Sequence, residues 1–509
     1  MPMYGILKIM ELVKMKNSNF KVLLVYANSY MDTLIPVSIT CLATSLKRAG
    51  FQVKLFDTTF YLDESSDLIR IETGQVKEFR SGERKFPIYK TKVENDFRKS
   101  VLEYSPDVIG ISCVETTYRL AIRMIDNIND LDIPIVFGGI HTIFSANEVI
   151  VEKNIDAVCI GEGEEAIIEF CAALANKSDA PIIDNMWIKR DNEIIKGRKG
   201  TLFSFEKNEF IEPNYEIFEE ARFYRPMSGK VYRMLPLEIS RGCIYKCSYC
   251  SAPGLKEYFK DVGQWMRYKN MSAIQKEIEH CIEKYNVEYF YIVSETFLAM
   301  PKRRFDEFVE MYSQFKIPFW CNTRPETITE ENIKKLESIG CHRMSIGIEH
   351  GNEEFRTTML KRKVSNKRIV EACKIMENSS IEFSVNNIIG FPEETRDLIF
   401  DTIEINREFN ADSHTVLILQ PYRGTWLYDY CVKKGYYSKS QLAKDNSVEP
   451  VIRNENLTLE EIKGLQRTFN FYVKFPKSEW PKIKIAEEFT KEGNEVYREY
   501  TEKFKEKYL

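Results

Sequence analysis

The chain has 509 residues, of which 44% are apolar and 29% charged, with a formal net charge of −4. This composition supports large packed cores and argues against intrinsic disorder. Because no excess of Lys and Arg is present to neutralise phosphates, the sequence favours a small-molecule or peptide substrate over nucleic acid.

The first residues, "MPMYGILKIMELVKMKNSN", lack a long apolar run and a small-residue cleavage site. We therefore predict a leader segment at 1–19 that is not a secretory signal. No apolar run reaches the roughly 18 residues of a spanning helix, so no transmembrane segment is expected. Twelve cysteines without a secretory signal indicate a reducing, cytoplasmic setting with free thiols.

Residues 20–180 alternate between strand-like and helix-like patterns. Five short apolar runs predict strands: "KVLLVYA", "FQVKLFD", "PDVIGISC", "IPIVFGG" and "IDAVCIGEGE". Continuous apolar strands with helices between them are typical of a parallel sheet that is covered on both faces. We therefore predict a doubly wound, Rossmann-like α/β domain, with the charged stretch 61–95 as a surface excursion.

Open parallel sheets bind ligands beyond the carboxyl ends of their strands. Glycine at two of these ends lets a bulky ligand approach the backbone, although either glycine pair alone would also suit a turn. The candidate ligand-binding residues at this edge are Pro36, Ser112, Glu115, Thr116, Gly138, Gly139, His141, Gly161, Glu162 and Gly163.

Residues 181–234 show weaker periodicity and are predicted to be a linker. A second series follows, with strands predicted at 237–240, 289–293, 319–322, 343–348, 382–389 and 413–420, and helices between them. Six such units over 235–430 predict a partial (βα)6 TIM-type barrel, with its chemistry at the carboxyl ends of the strands. Residues 431–509 predict a helical C-terminal domain whose balanced charge favours a solvated cap, although its aromatics would also suit a substrate cover or a lipid surface.

The stretch "RGCIYKCSYCSAP" holds Cys243, Cys247 and Cys250 directly after the first barrel strand. A structural zinc site needs a fourth ligand, and the nearest later candidates, His280 and Cys281, lie at the far end of a predicted helix. A [4Fe–4S] cluster held by three thiolates would instead keep one iron open for a substrate. Short cysteine spacings are common, so the motif alone favours the cluster only modestly.

The loop also places Tyr249 between its last two cysteines, and this C-x3-C-x-aromatic-C pattern resembles the radical S-adenosylmethionine (radical SAM) enzymes. The stretches "FYIVSETF", "FWCNTRPETIT", "IGCHRMSIGIEHG", "NIIGFPEET" and "PYRGTWLYD" are similar to the strand-end motifs of one subgroup, which carries a cobalamin-binding domain before the barrel. "VFGGIHTIF" and "DAVCIGEGEEA" resemble the cobalamin-binding signatures of that subgroup. Each match alone is weak, but the set is specific.

The resemblance implies three cofactors: a [4Fe–4S] cluster, S-adenosylmethionine chelated at the open iron, and cobalamin. It also implies an external electron donor of flavodoxin or ferredoxin type. The reduced cluster would cleave S-adenosylmethionine to methionine and a 5′-deoxyadenosyl radical, which removes a substrate hydrogen. By the same resemblance the catalytic cluster ligands are Cys243, Cys247 and Cys250, and the residues around S-adenosylmethionine are Tyr249, Glu295, Arg324, Glu349 and Asn387.

Several of these roles have alternatives. Glu349 would also suit a salt bridge to Arg324 or Arg343. Ser294-Glu295 stands where the subgroup often has two acids, which weakens the assignment of that contact. The loop "YANSYMDTLIP" contains no His for an axial cobalt ligand, and His141 is a candidate only from a later strand, where a loop His more often makes hydrogen bonds.

The leading functional prediction is a C-methyltransferase with methylcobalamin as methyl donor. One alternative keeps both cofactors but performs cyclisation, ring contraction or oxidation. A methylthiotransferase would need a second cluster, for which Cys41, Cys113 and Cys159 would have to converge, although Cys41 falls within a predicted helix. A non-catalytic cobalamin or cluster sensor is the third alternative, and the complete set of barrel motifs argues against it.

Overall fold

The computed structural model describes residues 19–62, 86–178, 182–191, 193–205 and 212–508. The described chain divides into two compact units, the first formed by residues up to 224 together with 259–265, and the second by 225–258 and 266–508. Residues 1–18 of the predicted leader and 63–85 of the predicted excursion lie outside the described residues. The domain boundaries given above stay predictions.

The first unit contains a seven-stranded sheet with strand order β2-β1-β3-β4-β5-β6-β7. The first five strands run parallel, and the last two continue the sheet antiparallel. Its strands are β1 (Lys21–Tyr26), β2 (Gln52–Asp57), β3 (Val108–Ser112), β4 (Ile135–Gly138), β5 (Ala157–Cys159), β6 (Met186–Arg190) and β7 (Glu193–Lys196). The predicted doubly wound domain is confirmed.

The helices of this unit are α1 (Val37–Arg48), α2 (Val93–Tyr104), α3 (Tyr118–Asp126), α4 (Ile140–Val149) and α5 (Ala166–Ala175). Each buries an apolar stripe, as α3 does with Ala121, Met124 and Ile125. Because β1 lies between β2 and β3, the chain crosses from β1 to β2 on one side of the sheet's centre and from β3 to β4 on the other. In an open parallel sheet such a reversal opens a crevice at the carboxyl edge, which is where ligands bind.

The second unit is built on six parallel strands in chain order, β9-β12-β13-β14-β15-β16, with β8 added beside β9. This arrangement confirms the predicted partial TIM-type barrel. The strands are β8 (Tyr224–Met227), β9 (Lys230–Glu238), β12 (Tyr289–Val293), β13 (Phe319–Thr323), β14 (Cys341–Glu349), β15 (Glu382–Ile389) and β16 (Ser413–Ile418). A separate short pair joins β10 (Ser240–Arg241) to β11 (Arg267–Tyr268).

Helices follow most of the strands and cover the outside of this sheet. They are α6 (Ala252–Tyr258), α7 (Met271–Tyr285), α8 (Lys302–Tyr312), α9 (Glu330–Ser338), α10 (Glu353–Thr358), α11 (Asn366–Glu377), α12 (Arg396–Asn406) and α13 (Trp426–Lys434). Five of them, α9, α10, α11, α12 and α13, begin after a Thr, Asn or Ser whose side chain accepts a backbone N–H. Such caps fix where each helix starts after its loop.

The chain ends in α14 (Leu459–Lys474), α15 (Trp480–Ile485) and α16 (Lys491–Tyr508). The aromatics of these helices are interior: Phe469, Phe471 and Phe504 share one buried cluster with Val416 and Ile418 of β16. The aromatics therefore hold these helices against the barrel strands. No helix among the described residues is long and apolar enough to cross a membrane.

Gly139 provides a test of the packing at the sheet edge. Its φ is 101°, and an added Cβ would lie 2.4 Å from the carbonyl oxygen of Cys113. Gly50 has a similar φ of 93° but nothing within 4 Å of the same position. Both alanine variants bear a backbone penalty of about 1 kcal/mol, and Gly139→Ala adds the clash. In urea unfolding we expect Gly139→Ala to lose at least about twice as much stability as Gly50→Ala; equal losses would contradict this packing.

Candidate active site

The three-cysteine loop lies between β10 and α6, directly beyond the carboxyl end of β9. It begins at Gly242, whose φ of 97° suits glycine. The backbone N–H of Gly242 donates to the Glu295 Oε1 atom at 2.9 Å. Glu295 follows β12, the neighbour of β9, so this bond ties the start of the loop to the next strand end.

Ser248, between Cys247 and Tyr249, holds the middle of the loop. Its hydroxyl donates to the carbonyl of Met359 at 2.6 Å, and its N–H donates to the carbonyl of Leu360 at 3.1 Å. Its own carbonyl accepts the N–H of Leu427 at 3.0 Å. The loop is thus bonded to the segments that follow β14 and β16, and its shape does not depend on a bound metal alone.

The cysteine sulfurs lie beside hydrogen-bond donors. The Arg324 Nη1 atom donates to the Sγ atom of Cys247 at 3.1 Å, and the N–H of Ala252 donates to that of Cys250 at 3.5 Å. The Sγ atom of Cys243 lies 4.0 Å from the Thr296 hydroxyl. Burial raises the pKa of the Cys250 thiol to about 11, so iron must displace a proton there. Donors on sulfur and a nearby guanidinium favour the thiolate form that binds iron.

Beside the loop, Arg362 lies buried and joins three groups. Its Nη1 atom donates to Glu349 Oε1 at 2.9 Å and to the Tyr249 hydroxyl at 3.0 Å, and its Nη2 atom donates to the carbonyl of Gly347 at 2.7 Å. Burial raises the pKa of Glu349 although Arg362 opposes that shift. Glu349 therefore does form an ion pair, the alternative role considered above, but its partner is Arg362 and not Arg324 or Arg343.

The backbone at Glu349 is unusual, with a φ of 71° at a residue that is not glycine. The register of β14 against β15 also shifts between Gly347 and Glu349. A Cβ on Gly347 would lie 2.2 Å from the Glu349 Oε1 atom, so the carboxylate folds back over that glycine. A bulge and a strained residue at a strand end often re-aim a side chain at a functional site.

The other residues assigned to the S-adenosylmethionine site divide into two groups. Arg324 contacts the cysteine loop, since its guanidinium also stacks on the Tyr245 ring at 3.7 Å. Asn387 is not brought to the loop: it is fully buried and exchanges amide hydrogen bonds with Asn406 of α12. Strand alternation puts Asn386 on the opposite face, where its amide donates to Ser345 at 2.9 Å.

His350 also lies away from the opening, because it is fully buried. Its Nε2 atom lies 3.0 Å from Glu394 Oε1, and its Nδ1 atom accepts the N–H of Asn352 at 3.1 Å. The Glu394 Oε2 atom accepts the N–H of Phe391 at 3.0 Å. This pair joins the segment after β14 to the segment after β15, and it has a structural role.

In the first unit, the loop from β1 to Pro36 is held by two side chains. Asn28 donates from its amide to the Thr59 hydroxyl and to the carbonyl of Asp32, both at 2.8 Å. The fully buried Arg222 donates to that same carbonyl at 2.7 Å and pairs with Asp57 at 2.9 Å. Pro36 then begins α1. Arg222 has no signal in the sequence, because it lies far along the chain in the predicted linker.

The remaining predicted ligand-binding residues lie at or beside the same carboxyl edge. Ser112 ends β3, and the buried Glu115 and the half-buried Thr116 follow in a short 3-10 turn. Gly138 ends β4, and a Cβ added at this glycine would lie 3.7 Å from the Cβ of Cys159. His141 is buried and packs on the Tyr118 ring, with centroids 4.5 Å apart.

The loop after β5 is shaped by Asn185. A Cβ on Gly161 would lie 2.4 Å from the Asn185 side chain, whose amide donates to the carbonyl of Glu162 at 3.2 Å. The Glu162 carboxylate accepts the N–H of Phe203 at 2.5 Å. Gly163 faces Leu42 of α1, 3.2 Å from its Cβ position. These glycines are therefore explained first by close packing of the protein on itself.

The three cysteine sulfurs and their hydrogen-bond donors fit a [4Fe–4S] cluster. Within the described ranges, no three His, Cys, Asp or Glu side chains are grouped so as to hold a single metal ion. The chemistry supplied by the loop is that of soft sulfur ligands, which iron–sulfur clusters take.

Comparison with known proteins agrees with this geometry. Residues 237–405 match the Radical SAM superfamily and residues 87–170 match the B12 binding domain. A Pyrococcus horikoshii protein described as an uncharacterized methyltransferase is 24% identical over 410 residues, which are 78% of this chain and 84% of that protein. An anaerobic magnesium-protoporphyrin IX monomethyl ester cyclase of Rubrivivax gelatinosus is 23% identical over 394 residues, covering 75% of this chain and 68% of the cyclase.

Among solved structures, the radical S-adenosylmethionine methyltransferase TsrM from Kitasatospora setae, with cobalamin and a [4Fe–4S] cluster bound, has the same fold. The TM-score is 0.60 at 16% identity, over 83% of this chain and 79% of that one. The chain therefore combines a Radical SAM domain with a B12 binding domain, and its cofactors are a [4Fe–4S] cluster, S-adenosylmethionine and cobalamin.

Proposed function

We propose that the protein is a cobalamin-dependent radical SAM methyltransferase acting on a carbon atom of a small molecule or peptide in a reducing cytoplasm. The observation that carries the proposal is the three-cysteine loop, whose sulfurs meet hydrogen-bond donors beside the buried Arg362–Glu349 pair. The bound cofactors would supply a 5′-deoxyadenosyl radical for hydrogen removal and a methyl group on cobalt. The chain itself would bind the cofactors and the substrate, orient them towards one another, and keep water out of the site.

Cys243, Cys247 and Cys250 are proposed to hold three irons and to leave the fourth to S-adenosylmethionine. Arg324 donates a hydrogen bond to the Cys247 sulfur at 3.1 Å and holds that sulfur in place. Glu295 fixes the start of the loop that presents these sulfurs, and Ser248 fixes its middle. Their role is to set the cluster's position before S-adenosylmethionine arrives.

Glu349 is proposed to bind the ammonium or ribose hydroxyls of S-adenosylmethionine, with Arg362 holding its carboxylate and Tyr249 packing beside the adenine. The Glu349 side chain is 13% exposed, and that of Arg362 only 2%, so the pair offers an acceptor at the opening and keeps its cation inside. Asn387 is left out of this proposal, because its amide is already bonded to Asn406.

Cobalamin is proposed to bind at the carboxyl edge of the first unit. Ser112, Glu115 and Thr116 offer polar groups there, and Gly138 at the end of β4 adds no side chain of its own. The loops that carry Pro36, Gly161, Glu162 and Gly163 complete the same edge. His141 packs on Tyr118, so we do not assign it as an axial cobalt ligand.

The reaction class is tested without knowing the substrate. Under anaerobic conditions with dithionite and hydroxocobalamin, we expect S-adenosylmethionine with a deuterated methyl group to yield deuterated methylcobalamin and S-adenosylhomocysteine. We also expect 5′-deoxyadenosine from the same mixture. Mass spectrometry checks all three. Deoxyadenosine without methylated cobalamin would contradict methyl transfer and favour a cyclisation or oxidation, as the match to the Rubrivivax cyclase allows.

Removal of the cysteine ligands tests the cluster. After anaerobic reconstitution we expect about four irons per native chain, and close to none in the triple Cys243→Ala, Cys247→Ala, Cys250→Ala variant. The matched control is Cys373→Ala, which removes a fully buried thiol of α11 in the same unit. Iron content and the visible absorption of the cluster are the readouts. Full iron in the triple variant would exclude this loop as the binding site.

Arg362→Met tests the residue that the sequence analysis missed. It leaves Glu349 buried without its cation, so we expect the affinity for S-adenosylmethionine to fall by about ten-fold or more while the cluster absorption is retained. Arg343→Met is the control, since Arg343 pairs with Glu382 at 2.7 Å near the other end of the same strands. Equal losses of S-adenosylmethionine affinity in both variants would show that Arg362 has no specific role in binding this cofactor.

A further inference from the structure

Inside the barrel, a layer of large side chains lies towards the amino ends of the strands. Tyr291 of β12 and Trp320 of β13 are register partners, and their rings stack with centroids 4.0 Å apart. The Arg225 guanidinium of β8 lies 5.7 Å from the Tyr291 ring centroid. Next along the same layer, Arg343 pairs with Glu382 at 2.7 Å. The layer forms an aromatic floor whose cations are held by partners within the barrel.

Two residues further along the strands, the next layer is polar and uncharged. Asn322, Ser345 and Ser384 are register partners across β13, β14 and β15. The Ser345 hydroxyl accepts hydrogen bonds from the Ser384 hydroxyl at 3.3 Å and from the Asn386 amide at 2.9 Å, so these side chains share one face. Alternate residues such as Ile346 are fully buried on the other face, which the helices cover. Asn322, Ser345 and Asn386 therefore point into the barrel, and we call them the lumen group.

The lumen group has hydrogen-bonding capacity that the chain itself does not use. The Asn322 Oδ1 atom is buried, and the Asn322 amide makes no hydrogen bond to any residue in the described part of the chain. Ser345 accepts two hydrogen bonds but donates none to a described residue, and the Asn386 Oδ1 atom accepts none from one. A buried polar atom without a partner costs stability, and in a folded protein it points to a missing ligand.

The lumen group lies directly below the residues proposed to hold the cofactors. Arg324, which contacts the cysteine loop, follows Asn322 by two residues. Gly347, whose carbonyl accepts a hydrogen bond from Arg362, follows Ser345 by two residues in β14. Two residues of a strand rise about 7 Å. A molecule held by the lumen group would therefore lie between the aromatic floor and the cysteine loop.

The chemistry of this layer favours an uncharged ligand. Glu238, which belongs to the same layer through Val293, is already paired with Arg241 at 2.9 Å. A carboxylate or ammonium group would lose its hydration here and meet only amides and hydroxyls, which costs free energy. A primary carboxamide offers two N–H donors and an oxygen with two lone pairs, whereas a hydroxyl has one donor. The amide therefore uses more of the open donors and acceptors, and the soft terminal torsion of Asn322 lets either amide atom turn towards it.

We propose that the lumen group binds a carboxamide of an uncharged substrate and thereby determines which substrates the enzyme accepts. The inference rests on the proposed function, because it names the substrate class of that same site. Ser345 and Asn322 donate to the amide oxygen, and the Asn386 Oδ1 atom accepts an amide N–H. The apolar part of the substrate packs on the Tyr291–Trp320 stack, since aromatic faces bury apolar surface well.

Three probes with one phenyl ring and different head groups test this selection: phenylacetamide, phenylacetate and 2-phenylethylamine. Their Kd values for the full chain, with oxidised cluster and S-adenosylmethionine bound, are measured anaerobically by saturation-transfer NMR. We expect phenylacetamide to bind about ten-fold more tightly than either charged probe. Asn322→Leu should raise the Kd of phenylacetamide by roughly ten-fold. The matched control is Asn378→Leu, an exposed asparagine at the end of α11, which should bind as the native chain does.

A measurement of stability needs no ligand. Because the Asn322 amide makes no hydrogen bond to the described chain, Asn322→Leu should keep or raise the urea midpoint of unfolding. Asn387→Leu should lower that midpoint, since it breaks the paired amides of Asn387 and Asn406. An equal drop in both variants would give Asn322 a structural role and overturn the proposal.

The remaining outcomes are equally decisive. Equal affinity for the amide and the charged probes, or native amide binding in Asn322→Leu, would overturn the assignment. Binding of 2-phenylethanol as tight as that of phenylacetamide would overturn the choice of an amide over a hydroxyl. Weaker S-adenosylmethionine binding in Asn322→Leu would assign the residue to that cofactor instead. None of these readouts needs turnover, so absence of methylated cobalamin in the native chain would refute the proposed function, whereas absence of an amide preference would refute only the substrate class.

Discussion

The hydrogen bonds of Ser248 are the constraint on which the candidate site depends. Three of its atoms bond to the segments that follow β14 and β16, which are distant in sequence from the cysteine loop. A loop with three sulfurs and no bound metal would otherwise be free to change shape. Because these bonds link the loop to the barrel, the barrel positions the cysteine sulfurs and the Arg362–Glu349 pair together.

The two arginines of this site are buried, and each is paired with a negatively charged or polarisable group. Arg324 and Arg362 are both buried, and each lies beside a group that carries or develops negative charge, a cysteine sulfur in one case and Glu349 in the other. A buried guanidinium needs such partners, because an unpaired charge in the interior is costly. The two guanidinium groups therefore lie where they stabilise negative charge on a cysteine sulfur and on the Glu349 carboxylate.

Much of the fold was predictable because the strands are short, buried apolar runs, as "KVLLVY" in β1 shows. β6 and β7 were not anticipated, since strands at the edge of the sheet are half exposed and lack a continuous apolar run. Asn387 shows a second limit: neighbouring residues in a strand face opposite sides, so a small uncertainty in register exchanges Asn386 for Asn387. The role of Arg362 could not be predicted from the sequence, because it depends on contacts with Glu349 and Tyr249 that form only in the folded chain.

The central claim is that the chain supplies three cluster ligands and that S-adenosylmethionine takes the fourth iron. The most direct measurement is electron–nuclear double resonance on the reduced cluster with S-adenosylmethionine isotopically labelled at its amino nitrogen. We expect a hyperfine coupling between the cluster and that nitrogen, lost when Cys247 is replaced by Ala. A reduced cluster in the native chain that shows no coupling to the bound, labelled nitrogen would contradict the account.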